Sequence, residues 1–98
     1  MSENFLIIIP TYNEAENIEL FLDEVNSVKA DILIVDDNSP DGTANLVEKK
    51  IKDISSINLL KREKKLGLGS AYREGFEWGI NGNYDYFRSN GTDMYVMI

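Results

Sequence analysis

Acidic side chains gather at two places where an apolar run of this chain stops, and that placement is the first sign of chemistry. The first run is Phe5-Leu6-Ile7-Ile8-Ile9, leading into Pro10-Thr11-Tyr12-Asn13-Glu14. The second is Ile32-Leu33-Ile34-Val35, leading into Asp36-Asp37-Asn38-Ser39-Pro40-Asp41-Gly42. In an open α/β sheet, ligands bind beyond the carboxyl ends of the parallel strands. Two acid-bearing loops at successive strand ends therefore face one pocket. Carboxylates there accept hydrogen bonds from sugar hydroxyls and ring N–H groups, the stronger charge-assisted kind. This is the layout of a site for the sugar and base of a nucleotide.

Each acid also has a plainer use. Thr11-x-x-Glu14 fits a capping box, in which hydroxyl and carboxylate each satisfy a free amide at a helix start. A carboxylate at a strand–helix junction still lies at the pocket edge, so both uses stay open. Tyr12 reads as packing before it reads as a stacking platform. The pair Asp36-Asp37 is harder to explain by structure alone, because adjacent carboxylates ending a strand repel and add nothing to a sheet. In the plain reading one caps the turn and both are solvated. In the functional reading one accepts from a base or ribose while the other shapes the loop or approaches a cation. Asp41 reads as a turn residue.

The basic cluster Lys61-Arg62-Glu63-Lys64-Lys65 reads first as a solvated loop. A phosphate-facing loop including Lys65 is the sharper alternative, since Gly67 and Gly69 follow and allow close backbone approach. Gly67-Leu68-Gly69 is neither the spaced dinucleotide fingerprint nor a Walker loop. The helix N-terminus behind it is nonetheless suited to a phosphate.

The elements that position these residues alternate strand and helix, the pattern of a parallel sheet covered by helices. Strands are expected at about 5–9, 32–35 and 57–60, the first an unbroken apolar run as for a strand buried on both faces. Helices are expected at about 14–28, 43–53 and 68–81. Their apolar stripes are Ile18, Phe21, Leu22, Val25 and Val28, then Ala44, Val47, Ile51 and Ile54, then Leu68, Ala71, Tyr72, Gly75, Phe76, Gly79 and Ile80. Gly75 and Gly79, four apart on the last stripe, predict close approach of that helix to the sheet. Tyr84–Phe87 and Met94–Ile98 are both candidates for a fourth strand.

Composition narrows the chemistry. The 98 residues make one domain or part of one, with no cysteine and no histidine. Disulfides, thiolate metal sites and a histidine base are thereby excluded, and acid–base or metal chemistry must rest on carboxylates. Net charge is −7 and unevenly placed: residues 1–60 hold 12 acids and 4 bases, residues 61–98 hold 5 acids and 6 bases. So acidic a chain is a poor partner for nucleic acid, which binds through phosphate neutralisation. There is no signal-like start, and no transmembrane segment, since apolar runs of about five residues fall far short of a span. The expected location is the cytoplasm.

Three segments together resemble the family 2 glycosyltransferases, most closely the polyprenyl-phosphate (dolichol-phosphate) mannosyltransferase branch. They are Ile9–Glu14, Ile34–Thr43 and Arg62–Tyr72, within a match over roughly residues 5–87. The resemblance implies an α/β fold, the N-terminal part of a GT-A (Rossmann-like) domain with a mainly parallel sheet in the order β-α-β-α-β-α-β. It implies nucleotide contacts at Pro10, Tyr12, Glu14, Ile34 and Asp36, with Asp37 beside them. The implied donor is GDP-mannose or a related nucleotide sugar such as a UDP-sugar. The implied acceptor is a polyprenyl or dolichyl phosphate at the membrane surface, reached by a peripherally placed enzyme, and the transfer inverts the anomeric centre.

One departure stands out. The family carries an Asp-x-Asp motif for Mg²⁺ or Mn²⁺ at the end of the strand after the third helix. If Tyr84–Phe87 is that strand, the motif positions hold Arg88-Ser89-Asn90; if Met94–Ile98 is, the sequence stops one residue before it. The metal ligands are absent on either reading, and no metal-binding residue is assigned. The chain is thus expected to be an N-terminal portion, inactive alone. Two other functions compete. One is a nucleotide-binding module without catalysis. The other is a signalling receiver domain, which Ile32–Asn38 resembles, but a full strand–helix unit precedes the acid pair and no later strand-end Asp and Lys follow.

Overall fold

A computed structural model describes residues 5–25, 30–84, 86–89 and 95–97. The elements are β1 (Phe5–Thr11), α1 (Ile18–Val25), β2 (Asp31–Asp36), α2 (Thr43–Asp53), β3 (Ile57–Lys61), α3 (Leu68–Asn81), β4 (Tyr86–Ser89) and β5 (Tyr95–Met97). The sheet order is β3-β2-β1-β4-β5, with the first four strands parallel and β5 antiparallel to β4. The expected β-α-β-α-β-α-β order with a mainly parallel sheet holds, with β5 added beside β4.

Alternation along β1 and β2 divides the core, because successive strand side chains point to opposite faces. Ile7, Ile9, Ile32, Ile34 and Ile57 join Ile18, Leu22 and Val47 under α1 and α2. Leu6, Ile8, Leu33 and Val35 join Ala71 under α3, with Tyr72, Phe76 and Trp78 packed around them. Burial on both faces is why the two strands read as unbroken apolar runs. At Gly75 a Cβ would stand 2.6 Å from Ile8 Cγ2, so the close approach predicted for α3 is real at that position. Leu68 and Ile80, placed on the same stripe by periodicity, are exposed instead.

Helix α1 is shorter than expected. It starts at Ile18, and Glu14–Asn17 form a turn in which Asn17 and Ile18 amides both donate to the Glu14 carbonyl. The capping box does not form, because Thr11 is the last residue of β1 and the Glu14 amide, which the box would direct to the Thr11 hydroxyl, donates to Thr43 Oγ1 instead. The expected residues 26–29, Val28 among them, lie outside the described residues.

Of the two candidate fourth strands, Tyr86–Ser89 lies parallel to β1, two residues later than expected, and pairs Phe5–Ile8. The chain thus builds the sheet from β1 out to β3 and then crosses to the other side of β1. That reversal is a topological switch point, where the crevice beyond the strand ends takes ligands.

Candidate functional site

Two loops beyond β1 and β2 are stitched into one surface. The strand-end residues Thr11 and Asp36 are register partners, and the Asp37 amide donates to the Thr11 carbonyl at 3.1 Å. Three successive amides of the first loop then donate to side chains of the second. Asn13 reaches Ser39 Oγ at 2.9 Å, Glu14 reaches Thr43 Oγ1 at 3.0 Å and Ala15 reaches Asp41 Oδ2 at 3.0 Å. Asn13 and Asn38 take left-handed backbone conformations, which asparagine tolerates better than most residues.

Asp41 is the turn residue that its position suggested, one residue before Gly42, the N-cap of α2. Its Oδ1 accepts from the Thr43 amide and hydroxyl. The Thr43 hydroxyl, with the Ala15 and Thr43 amides, holds the Asp41 carboxyl below the usual carboxylate range.

The adjacent acids have different surroundings, and neither is solvated: Asp36 is 1% and Asp37 6% exposed. Asp36 Oδ1 accepts from the Thr11 and Ser39 hydroxyls at 2.7 Å each, and Oδ2 from the Ser39 amide at 2.9 Å. Three of about four lone-pair positions are thereby used, leaving capacity for one more donor. Asp37 turns the other way. Its Oδ1 accepts from Arg62 Nε at 2.5 Å, and its Oδ2 from the Leu66 and Gly67 amides at 3.2 Å each. Burial alone raises the Asp37 carboxyl, but the Arg62 guanidinium and the two amides outweigh it and hold it below its usual range.

Arg62 corrects the reading of its cluster as a solvated loop. Its side chain is 3% exposed, and the neighbouring lysines are exposed as expected. The apolar–basic spacing around Arg62 carries no hint of this; the signal lay in Asp37, a second acid with no evident partner. Lys65 stands with its ammonium 4.3 Å from the centre of the Tyr12 ring, a cation–π contact joining the 62–67 loop to the first loop. The Gly67 amide is already taken by Asp37, and Gly67 sits at φ 96°, a conformation that favours glycine. Gly69 lies in the first turn of α3 with open space around it.

Of the named site residues, Pro10, Glu14 and Asp36 line clefts, and they line two rather than the single pocket expected, while Tyr12, Asp37, Lys65, Gly67 and Gly69 border neither. Pro10 and Glu14 border the first with Ile9, Thr11, Asn17, Ile18 and Phe21, between the end of β1 and α1. Asp36 borders the second with Asn38, Ser39, Gly42, Asn45, Lys61 and Arg62. The Thr11–Asp36 hydrogen bond joins a residue of the first cleft to one of the second. Ile34 borders neither. It is wholly buried under α1 and α2, so its side chain supports the site from below rather than facing it.

The model of glycosyl transferase family 2 matches residues 6–84. This chain belongs to that family. It is 44% identical over 82 residues to an undecaprenyl-phosphate mannosyltransferase of Micrococcus luteus, covering 82% of this chain and 34% of the relative. It is 42% identical over 86 residues to a polyprenol monophosphomannose synthase of Mycolicibacterium smegmatis, covering 85% and 32%. A mannosyltransferase from Pyrobaculum calidifontis, solved with GDP-Man and Mn²⁺, superposes with a TM-score of 0.77 at 22% identity over 89% of this chain and 26% of that one. The family 2 chain therefore spans about a third of the length of these curated relatives.

A divalent cation is implied by the family resemblance, and the described residues do not fit one. Among them no three of His, Cys, Asp and Glu cluster as a metal would require. Asp37 is committed to Arg62 and Asp36 largely to Thr11 and Ser39.

Proposed function

We propose that this chain is the nucleotide-sugar-binding part of a polyprenyl-phosphate mannosyltransferase. One observation carries the reading: identity over most of the chain to proteins named for making mannosyl phospholipids of this kind. The donor is GDP-mannose or a related nucleotide sugar, and the acceptor a lipid phosphate at the membrane face. No helix among the described residues is long and apolar enough to cross a membrane, so a peripheral approach suits this part of the protein.

In the transfer an anionic oxygen of the lipid phosphate bonds to the anomeric carbon as its bond to the nucleotide diphosphate breaks, inverting the centre. That nucleophile needs little help from a base. The residues here bind and orient the donor. Asp36 offers its remaining lone pair to a ring N–H or a ribose hydroxyl in its own cleft, while Pro10 and Glu14 border the neighbouring cleft and Tyr12 stands beside Lys65. Lys65 brings positive charge toward the diphosphate. Asp37 serves the site by holding the loop that carries Lys65.

Calorimetric titration of GDP, UDP and GDP-mannose into the chain, with and without Mn²⁺, tests this. Binding of GDP and GDP-mannose but not UDP, weakened about tenfold or more by Asp36→Asn, is the expected result. Preference for UDP would move the donor assignment, and no binding by a demonstrably folded chain would overturn the reading.

A further inference from the structure

All three guanidinium nitrogens of Arg62 face protein groups. Nε donates to Asp37, Nη1 to Ser70 Oγ at 2.7 Å, and Nη2 to the Gly67 carbonyl at 3.0 Å, with Glu74 3.6 Å from Nη1. Asp37 returns the grip by accepting the Leu66 and Gly67 amides. The loop between Arg62 and Gly67 is thus held at its start and its end by one buried ion pair, whose side chains are 3% and 8% exposed. Lys65 lies inside that loop and, itself exposed, meets Tyr12 on the other side of the strand ends.

We propose that Arg62 is a positioning residue: with Asp37 it closes a clasp that fixes the 62–67 loop so that Lys65 stands over Tyr12, where the diphosphate of a nucleotide sugar is received. The proposal rests on the nucleotide-sugar reading of the site. In this scheme Arg62 acts through the loop rather than on the ligand, since each of its three nitrogens already donates to a protein group. Only a planar fork serves three acceptors lying in three directions, so lysine keeps the charge and loses the geometry. An anion-binding pair of amides near the start of α3 is filled by the protein's own carboxylate, which leaves the diphosphate to Lys65.

The test is a double-mutant cycle on GDP affinity with Arg62→Lys and Lys65→Met, together with hydrogen exchange at the Leu66 and Gly67 amides. Arg62→Lys should speed exchange at those two amides by about tenfold or more while the β1 and β2 amides stay protected. It should weaken GDP binding about fivefold in the native background and by less than about twofold once Lys65 is Met. Equal losses in both backgrounds would show a general structural effect and overturn the positioning role. Should Arg62→Lys unfold the chain, Asp37→Asn, which keeps the shape of the pair, is read in the same two ways. If the native chain binds no GDP, the site reading fails and the role toward Lys65 fails with it. Exchange at Leu66 and Gly67 still decides whether the clasp exists, and unchanged exchange there overturns it.

Discussion

Thr11 and Asp36, the last residues of neighbouring parallel strands, are joined by a buried hydrogen bond of 2.7 Å from hydroxyl to carboxylate. The bond fixes the carboxylate that borders one cleft to the strand that borders the other. Thr11→Val preserves shape and removes the donor, leaving a buried carboxylate oxygen one partner short. Such a loss costs about 1–3 kcal/mol. Urea unfolding should show a lower midpoint with an unchanged slope, and Thr11→Ser should recover most of the loss. A midpoint unmoved by Thr11→Val would mean that the bond is not formed in solution.

How much of this was legible in the sequence depends on the range of the interaction. Helices α2 and α3 match their expected spans because their apolar residues recur locally and a glycine precedes each start. The start of α1 was misplaced because Thr11 and Glu14, a sound local cap, are claimed by partners 25 and 29 residues away. The acid pair stands out in the sequence, but nothing local tells Asp36 from Asp37. Their separation depends on Arg62, which sits on the far side of α2 and β3 in sequence and only 2.5 Å away in space. Periodicity marks which side chains are apolar; it says nothing about which charged side chain is drawn inside.

The close approach of α3 to β1 gives a test that opposes two effects of known sign. Gly75→Ala improves helix propensity by about 1 kcal/mol. It also places a Cβ 2.6 Å from Ile8 Cγ2 and 3.0 Å from its Cδ1, and Ile8 is wholly buried. Overpacking of this kind costs about 1–3 kcal/mol, so the net expectation is a loss of up to about 2 kcal/mol. Gly69→Ala is the control, because nothing lies within 4 Å of the added carbon. It should be neutral or stabilising in the same denaturation experiment.

Asp37 sets a pH dependence on the acid side. Burial works to raise its carboxyl, but Arg62 and the amides of Gly67 and Leu66 lower it overall. A carboxyl lower in the folded than in the unfolded chain contributes stability that is complete above the unfolded value, about 3.9. That contribution is lost as pH falls through the folded value, because the unfolded chain then binds the extra proton. Asp41 acts in the same direction. Unfolding free energy should therefore decline as pH drops below about 4. In Arg62→Met, burial is no longer countered by the guanidinium, and the part of that decline due to Asp37 should flatten. A slope identical in both chains would show that Asp37 does not pair with Arg62.

The alkaline side belongs to Tyr84, which stacks on Trp78 with ring centres 6.1 Å apart and donates its hydroxyl to Asp31 at the start of β2. Burial, with the Asp31 carboxylate beside the hydroxyl, pushes the phenol up to about 12. Here the folded value lies above the unfolded one, near 10, so the neutral phenol is the form the fold prefers. Its contribution is complete below about pH 10 and is lost as pH rises through about 12. Phenolate absorbance followed with pH should show one late titration that Tyr84→Phe removes and Asp31→Asn moves downward. Tyr84 follows α3 directly, so releasing it should also loosen the end of that helix against the sheet. Faster amide exchange at Gly82 and Tyr84, whose amides donate back into the last turn of α3, is the matching readout at high pH. If Tyr84→Phe leaves the alkaline titration unchanged, the phenol is not held by Asp31.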